Sequence, residues 1–282
     1  MDRQDARRAG DANLVSYLRH LARCAPRGSV REAPGYLCFA GGHDYPGTYT
    51  NGVIRRGRGS PPAELLAAAD DFFSPMRRGY MVWVRGDADS DLEEELRRRS
   101  WWLRPPETGN PGIASDHPIA DMEAPEGTQL VRVSSQAGRR DYLRVTGAAY
   151  GLEGAPDDLL ERVLFSMSSL EGDETTAFVA YRGARPVSCC LAYIDDDVAG
   201  LQWASTLPEA RGTGLGTAVF TAACNAAFAA GTRLAVAQTS AIGTPIWVRL
   251  GFEVVTYYRR YLAPVAGGAL QTRHQPGPPA ST

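Results

Sequence analysis

The sequence predicts a mixed α/β fold, an α+β sheet flanked by helices, built as two related halves. Three observations point there. Short apolar runs of strand type alternate with longer stretches of helical period along the 282 residues. Both halves repeat one order: strand, strand, helix, strand, short helix. Their short helices close alike, in "ELRRRSWWL" and "IWVRLGFEV". Finally, glycines crowd into Gly212-Thr213-Gly214-Leu215-Gly216, directly before an alanine-rich helical stretch.

The elements follow in order. Residues 1–22 read as a helix, because Leu14, Leu18 and Leu21 fall near helical spacing. The runs 35–40 and 49–54 read as strands between Gly-Gly and Pro-Gly turns. Ser60-Pro61-Pro62 starts a helix over 63–73, and "GYMVWV" at 79–84 is a buried strand. A helix over 92–99 carries acids first and arginines last, which suits its dipole. The stretch 105–125 is rich in proline, glycine and acid and reads as linker. The second half opens with a strand at 129–133, then helices over 137–149 (capped by Ser134 or Ser135) and 156–167. Strands at 176–181 and 187–194 form a hairpin, and another strand runs 201–206. A helix over 214–230, a strand at 234–239, a short helix over 245–250 and a strand at 253–261 complete the pattern. The expected organisation is therefore a first domain over 1–104, a linker over 105–127, a second domain over 128–264 and a disordered tail over 265–282.

Composition narrows the function. The formal net charge is −2, so a dedicated nucleic-acid partner is not expected. Every basic residue is arginine, which we read as codon usage. Cys24, Cys38, Cys189, Cys190 and Cys224 are odd in number and irregular in spacing. They suit reduced thiols in a cytoplasmic protein and no metal site. No window suggests a signal peptide or a membrane span.

The glycine loop carries the chemistry. Glycine lets backbone approach a ligand closely and adopts positive φ freely. A glycine loop entering a helix aims several free N–H groups at one spot, where the helix dipole adds positive potential, and so suits phosphate. A Walker-type loop needs Lys-Ser/Thr after its last glycine, and here Thr217-Ala218 follow Gly216. A dinucleotide fingerprint needs a third glycine where Thr217 stands and an acid where the next strand ends in Gln238-Thr239.

Arg211-x-x-Gly214-x-Gly216 instead matches [Q/R]-x-x-G-x-[G/A], preceded by a strand ending "ASTLPEA" and followed by "SAIGTPIWVRLGF" at 240–252. In motif order and spacing, residues 128–262 resemble the GCN5-related N-acetyltransferases (GNAT). The resemblance implies two GNAT-like domains, the second complete and the first degenerate, since it lacks the loop. It implies acetyl-CoA as co-substrate, with the pyrophosphate on Arg211, Gly212, Thr213, Gly214, Gly216 and Thr217. The pantetheine arm would lie along Ala204, Ser205 and Thr206 and reach Ser240, which replaces the family's asparagine, and Trp247, which replaces its acid tyrosine.

Direct transfer of an acetyl group to a primary amine needs a base for the amine and an acid for the departing thiolate. Tyr257 and Tyr258 on the last strand are the candidate acids, with Ser240 beside them. Tyr150, Glu153 and Asp157 are the candidate acceptor-binding residues. The acceptor is read as a small-molecule or peptide amine, and the first half as a support, a cover for the acceptor pocket or a homodimer interface. His43-Asp44-Tyr45 reads as loop, and Trp101-Trp102 as packing. Two alternatives stay open: a non-catalytic acyl-CoA-binding sensor or structural module, and a nucleotide-binding protein using the same loop.

Overall fold

Helix α1 (Arg3–Cys24) begins where the Asp2 side chain accepts the Asp5 N–H at 2.7 Å, a regular N-cap. In this computed structural model, which describes residues 1–44, 49–57 and 60–264, α1 packs two cores at once. Leu14 and Leu18 join Phe39, Ile54, Trp83 and Tyr258, while Tyr17 and Leu21 join the main core of the second half. The leucine spacing read from the sequence is thus a helix bridging the two halves. The expected tail over 265–282 lies outside the described residues, as does Tyr45. His43 and Asp44 lie in a bend, where Asn51 Nδ2 donates to His43 O at 2.7 Å.

The first half continues with β1 (Ser29–Ala33), β2 (Tyr36–Ala40), β3 (Asn51–Arg55), α2 (Pro62–Phe73), β4 (Met81–Arg85), α3 (Ser90–Arg98), β5 (Trp102–Leu103) and β6 (Asn110–Ser115). β1, which sequence reading missed, is a largely exposed edge strand with little apolar pattern. The second half runs β7 (Thr128–Arg132), α4 (Gln136–Ala149), α5 (Asp157–Val163), β8 (Thr175–Arg182), β9 (Arg185–Asp195), β10 (Val198–Thr206), α6 (Leu215–Ala229), β11 (Leu234–Gln238), α7 (Thr244–Arg249) and β12 (Glu253–Leu262).

Among the described residues these strands form one sheet, ordered β1-β2-β3-β4-β12-β6-β11-β10-β9-β8-β7, with β5 beside β12. The halves are interlaced at its centre. β6, from the end of the first half, pairs β11 and β12 of the second. β12 in turn pairs β4 of the first. The stretch expected as a plain linker therefore contains a central strand, and the reading of 105–127 is corrected. Pro111 and Gly112 hid it: a proline belongs at a strand start, and Pro111 is the second residue of β6. Gly112 is required by close packing, because a Cβ there would meet Thr256 Cγ2 at 2.6 Å and the Tyr258 ring at 2.7 Å. Ile113 and Ala114, which follow, are buried.

α6 fits the sheet through small residues: Ala218, Ala223 and Ala227 are fully covered. The five cysteines are free, and burial pushes the thiols of Cys38, Cys189 and Cys224 up to about 12. At neutral pH these three are inert packing groups rather than nucleophiles.

Candidate active site

β10 and β11 run parallel but pair only where Val198, Ala199 and Gly200 face Leu234, Ala235 and Val236. Beyond Gly200 they splay, and only Gln202 Nε2 reaches across, 3.5 Å from Gln238 Oε1. β10 nevertheless stays on β9 through Ser205–Cys189 and Thr206–Ser188. The register slips between Gln202 and Ser205, and Trp203 takes φ +54° in this bulge. Ser188 Oγ donates to Ser205 O at 2.8 Å and locks the strand just past the bulge. The result is a wedge whose β10 side, over 201–206, carries a backbone edge that β11 does not cover. Such an edge can receive an extended chain as a further strand.

The glycine loop closes the end of that edge. A 3₁₀ turn over Pro208–Ala210 leads to Gly212 at φ +73° and Gly214 at φ +83°. Gly214 is the N-cap of α6 and provides no side-chain cap, so the first amides of the helix keep free donors. A Cβ on Gly212 would meet nothing within 4 Å, and one on Gly214 only Pro125 Cγ at 3.7 Å. The two glycines are thus selected by positive φ, and the space before their amides is open. Gly216 has another role: its Cβ would lie 3.0 Å from Thr206 Oγ1, so its smallness lets α6 approach β10. Thr213 Oγ1 donates to Ala210 O at 2.7 Å, and Arg211 Nε to Thr206 O at 3.3 Å. Glu209, the nearest acid in sequence, is ion-paired with Arg185. Exposed donors, a helix dipole and open space fit a diphosphate.

The expected catalytic residues are distributed differently. Tyr258 is buried, and its hydroxyl donates to Asp11 of α1 at 2.8 Å. It is a structural residue, and its reading as a free acid is corrected. Tyr257, the next residue along the strand, is 44% exposed and turns to the opposite face of the sheet. Ser240 is exposed; its Oγ accepts the Gly243 N–H at 3.2 Å and its carbonyl accepts the Thr244 N–H at 2.9 Å, so it shapes the entry to α7. Trp247 is 8% exposed and stacks on Phe220 with ring centroids 3.8 Å apart. It joins α7 to α6 as packing.

The expected acceptor residues separate. Glu153 and Asp157 line an open concavity of about 630 Å³ with Arg144, Ala148, Pro186 and Leu207. Asp157 is already held there by Arg144, with contacts of 3.0 and 3.1 Å. Tyr150 stands elsewhere, edge-on to Trp203 with centroids 5.2 Å apart. It is 57% exposed, yet desolvation raises its phenol pKa.

Sequence reading missed what surrounds Trp203. Its Nε1 donates to Tyr17 OH at 2.7 Å. Tyr49 and Phe165 lie 5.0 and 5.2 Å from it, centroid to centroid. Two arginines complete the group. Arg260, on β12, lies over the Trp83 ring and donates to Asn110 Oδ1, while Asn110 Nδ2 donates to Thr239 O at the lip of the wedge. The Arg104 N–H donates to Arg260 O at 2.9 Å. Desolvation, with the adjacent charge of Arg104, brings Arg260 down to about 10.

The corresponding place in the first half is filled from within. β3 and β4 are likewise parallel. Arg55 at the end of β3 is 2% exposed; its Nη1 meets Asp91 at 2.7 Å and its Nη2 donates to Ser60 O at 2.8 Å. Arg85 at the end of β4 donates to Asp89 from its backbone N–H, Nε and Nη2 at 2.8–2.9 Å. An internal carboxylate therefore sits at the ends of these strands.

Residues 142–252 match the family model described as Acetyltransferase (GNAT) family, so this segment is a GNAT domain. Among solved structures, the fold is similar to a GCN5-related N-acetyltransferase from Kribbella flavida (21% identity, 90% of this chain and 95% of that one, TM-score 0.67). It is also similar to a tandem GNAT protein from the clavulanic acid biosynthesis pathway (13% identity, 90% and 94%, TM-score 0.59). A third similar fold is a GCN5-related N-acetyltransferase from Sphaerobacter thermophilus (14% identity, 84% and 82%, TM-score 0.58). At these identities the likeness concerns the fold. No curated protein matches the chain.

Proposed function

We propose that the protein is an acetyl-CoA-dependent N-acetyltransferase that transfers an acetyl group to a primary amine. The observation that carries this reading is one continuous surface: the uncovered β10 edge running into the glycine loop of α6. GNAT acetyltransferases use acetyl-CoA as co-substrate and act on small-molecule or peptide amines. Bound there, acetyl-CoA supplies an activated thioester.

Gly212, Thr213, Gly214, Gly216 and Thr217 receive its diphosphate through backbone amides at the start of α6, and Arg211 adds charge. Ala204, Ser205 and Thr206 hold the extended arm, and amides in the bulge at Trp203 and Ala204 polarise the carbonyl. The unit over 128–264 does this with β6 completing its sheet, while the half over 1–104 supports it. The free thiols suit a reducing compartment such as the cytoplasm. Among the described residues no helix is long and apolar enough to cross a membrane, and no cluster of acidic, His or Cys side chains could hold a metal.

Calorimetric titration with acetyl-CoA, with ADP as control, tests the reading. One site per chain, clearly tighter than ADP, is expected, followed by release of free CoA thiol with a panel of primary amines. Acetyl-CoA binding no tighter than ADP would overturn it. One observation favours a second reading, a non-catalytic acyl-CoA-binding module. Trp247 stands at the family's acid position and is packed on Phe220, and Tyr258 is held by Asp11. Tight binding without thiol release for any amine would select that module.

A further inference from the structure

The wedge described above opens beside an aromatic wall and two guanidinium groups. Trp203, in the β10 bulge, is flanked by Tyr49 and Tyr150. Arg260 lies over the Trp83 ring, which stands 5.5 Å from Tyr49, and Arg104 sits opposite Arg260 where β5 runs beside β12. Acid-lined sites suit cationic amines; this place has a positive field.

Arg104 and Arg260 are joined through the backbone, and Arg260 is bound through Asn110 to the lip of the wedge. Arg260 is buried at 7% exposure and Arg104 partly so. Two like charges held together out of bulk water repel each other and lose hydration. The proximity of Arg104 is part of what lowers Arg260 to about 10, after desolvation. Among the described residues the Arg104 guanidinium has no ion-pair or hydrogen-bond partner. A carboxylate brought in by a ligand would pair the Arg104 guanidinium through charge-assisted hydrogen bonds and offset the repulsion between the two arginines.

We propose, resting on the acetyltransferase reading, that the acceptor is a small amine bearing a carboxylate and a flat apolar body, with its carboxylate on Arg104 and Arg260 and its body against Tyr49, Tyr150 and Trp203. The arrangement also helps the chemistry. Only the neutral amine attacks a thioester, and a positive field lowers the pKa of an ammonium placed in it. The field therefore binds one end of the acceptor and favours loss of the proton at the other. In the step itself the amine nitrogen bonds to the acetyl carbon, the carbon–sulfur bond breaks, the amine proton passes to solvent or a base, and CoA leaves as its thiolate.

The test follows tryptophan fluorescence of the full chain, saturated with CoA, during titration with 3-phenylpropionate, L-phenylalanine and phenethylamine. The two carboxylates are expected to saturate and phenethylamine to bind at least tenfold more weakly. Arg104→Gln should weaken the carboxylates about tenfold and leave acetyl-CoA affinity within twofold, with Arg104→Lys restoring part of the loss. Equal binding of phenethylamine, no response to 3-phenylpropionate, or no effect of Arg104→Gln would overturn the proposal. Thiol release from succinyl-CoA exceeding that from acetyl-CoA, with phenethylamine as acceptor, would place the carboxylate on the donor and overturn it as well. A parallel acetyl-CoA titration with ADP as control, and thiol release across the amine panel, separate this failure from failure of the acetyltransferase reading, which falls if acetyl-CoA binds no tighter than ADP or no amine releases thiol.

Discussion

Replacing Gly214 by aspartate and by asparagine isolates charge at the helix mouth. Both side chains have one shape. Both accept the +83° φ of this position better than other non-glycine residues, at a shared strain of about 1 kcal/mol. Both have room, since the nearest atom to a built Cβ is Pro125 Cγ at 3.7 Å. They differ by a full negative charge standing where the loop would receive phosphate. For charges roughly 5 Å apart, Coulomb's law gives about 0.8 kcal/mol at a water-like dielectric and about 3 kcal/mol at the value typical near a protein surface. Gly214→Asp should therefore bind acetyl-CoA roughly four- to 150-fold more weakly than Gly214→Asn. Calorimetric titration at low and high salt measures the gap, which must narrow as salt shortens the range of the field. Equal affinities for the two variants, or a gap independent of salt, would refute the reasoning and reduce the loop to a turn.

Burial raises the Asp11 carboxyl to about 6 from 3.8, with Arg85 and Tyr258 pulling it back only in part. The folded state thus holds this proton more tightly than the unfolded one, so the group's contribution to stability falls as pH rises from about 4 to about 6. The loss is at most about 3 kcal/mol, and denaturant melts at pH 5 and 7.5 should show a smaller pH dependence in Asp11→Asn; identical dependence in both proteins would count against it. Ile113→Ala, in the central strand β6, should cost about 2–4 kcal/mol and leave one transition shared by both halves. A first-half transition that does not shift would show the halves to be uncoupled. Trp203→Phe removes the hydrogen bond to Tyr17 OH and should destabilise the protein by about 1 kcal/mol while raising KM for the acceptor more than for acetyl-CoA; equal changes in both KM values would contradict the acceptor-wall role.

The parts legible in the sequence are those that local chemistry dictates. The glycine loop could be read because positive φ and close approach demand glycine at Gly212, Gly214 and Gly216 whatever surrounds them. α1 and α6 could be read from periodicity and small residues. β6 was hidden because its strand character comes from neighbours on both sides, while Pro111 and Gly112 suggest a turn. The packing roles of Tyr258 and Trp247 were hidden because their partners, Asp11 and Phe220, are remote in sequence. The aromatic group draws Tyr17, Tyr49, Tyr150, Phe165 and Trp203 from segments that share no motif. Arg104 stood at the very end of the expected first domain with no motif around it, and Arg260 is one of many arginines.

The exchange of β6 and β12 sets a schedule for making the molecule. The ribosome completes β4 at residue 85 and begins β12 only at residue 253, so β4 waits with a bare flank throughout synthesis of the second half. An unsheathed strand invites pairing with a neighbouring chain. Until β12 emerges, the nascent first half keeps that flank open, and excised alone it would lack the strand that covers β4. A nick between residues 116 and 127 leaves β6 with the first piece and β12 with the second. Each fragment then carries the strand its counterpart lacks, and the two should find each other and rebuild the sheet in trans.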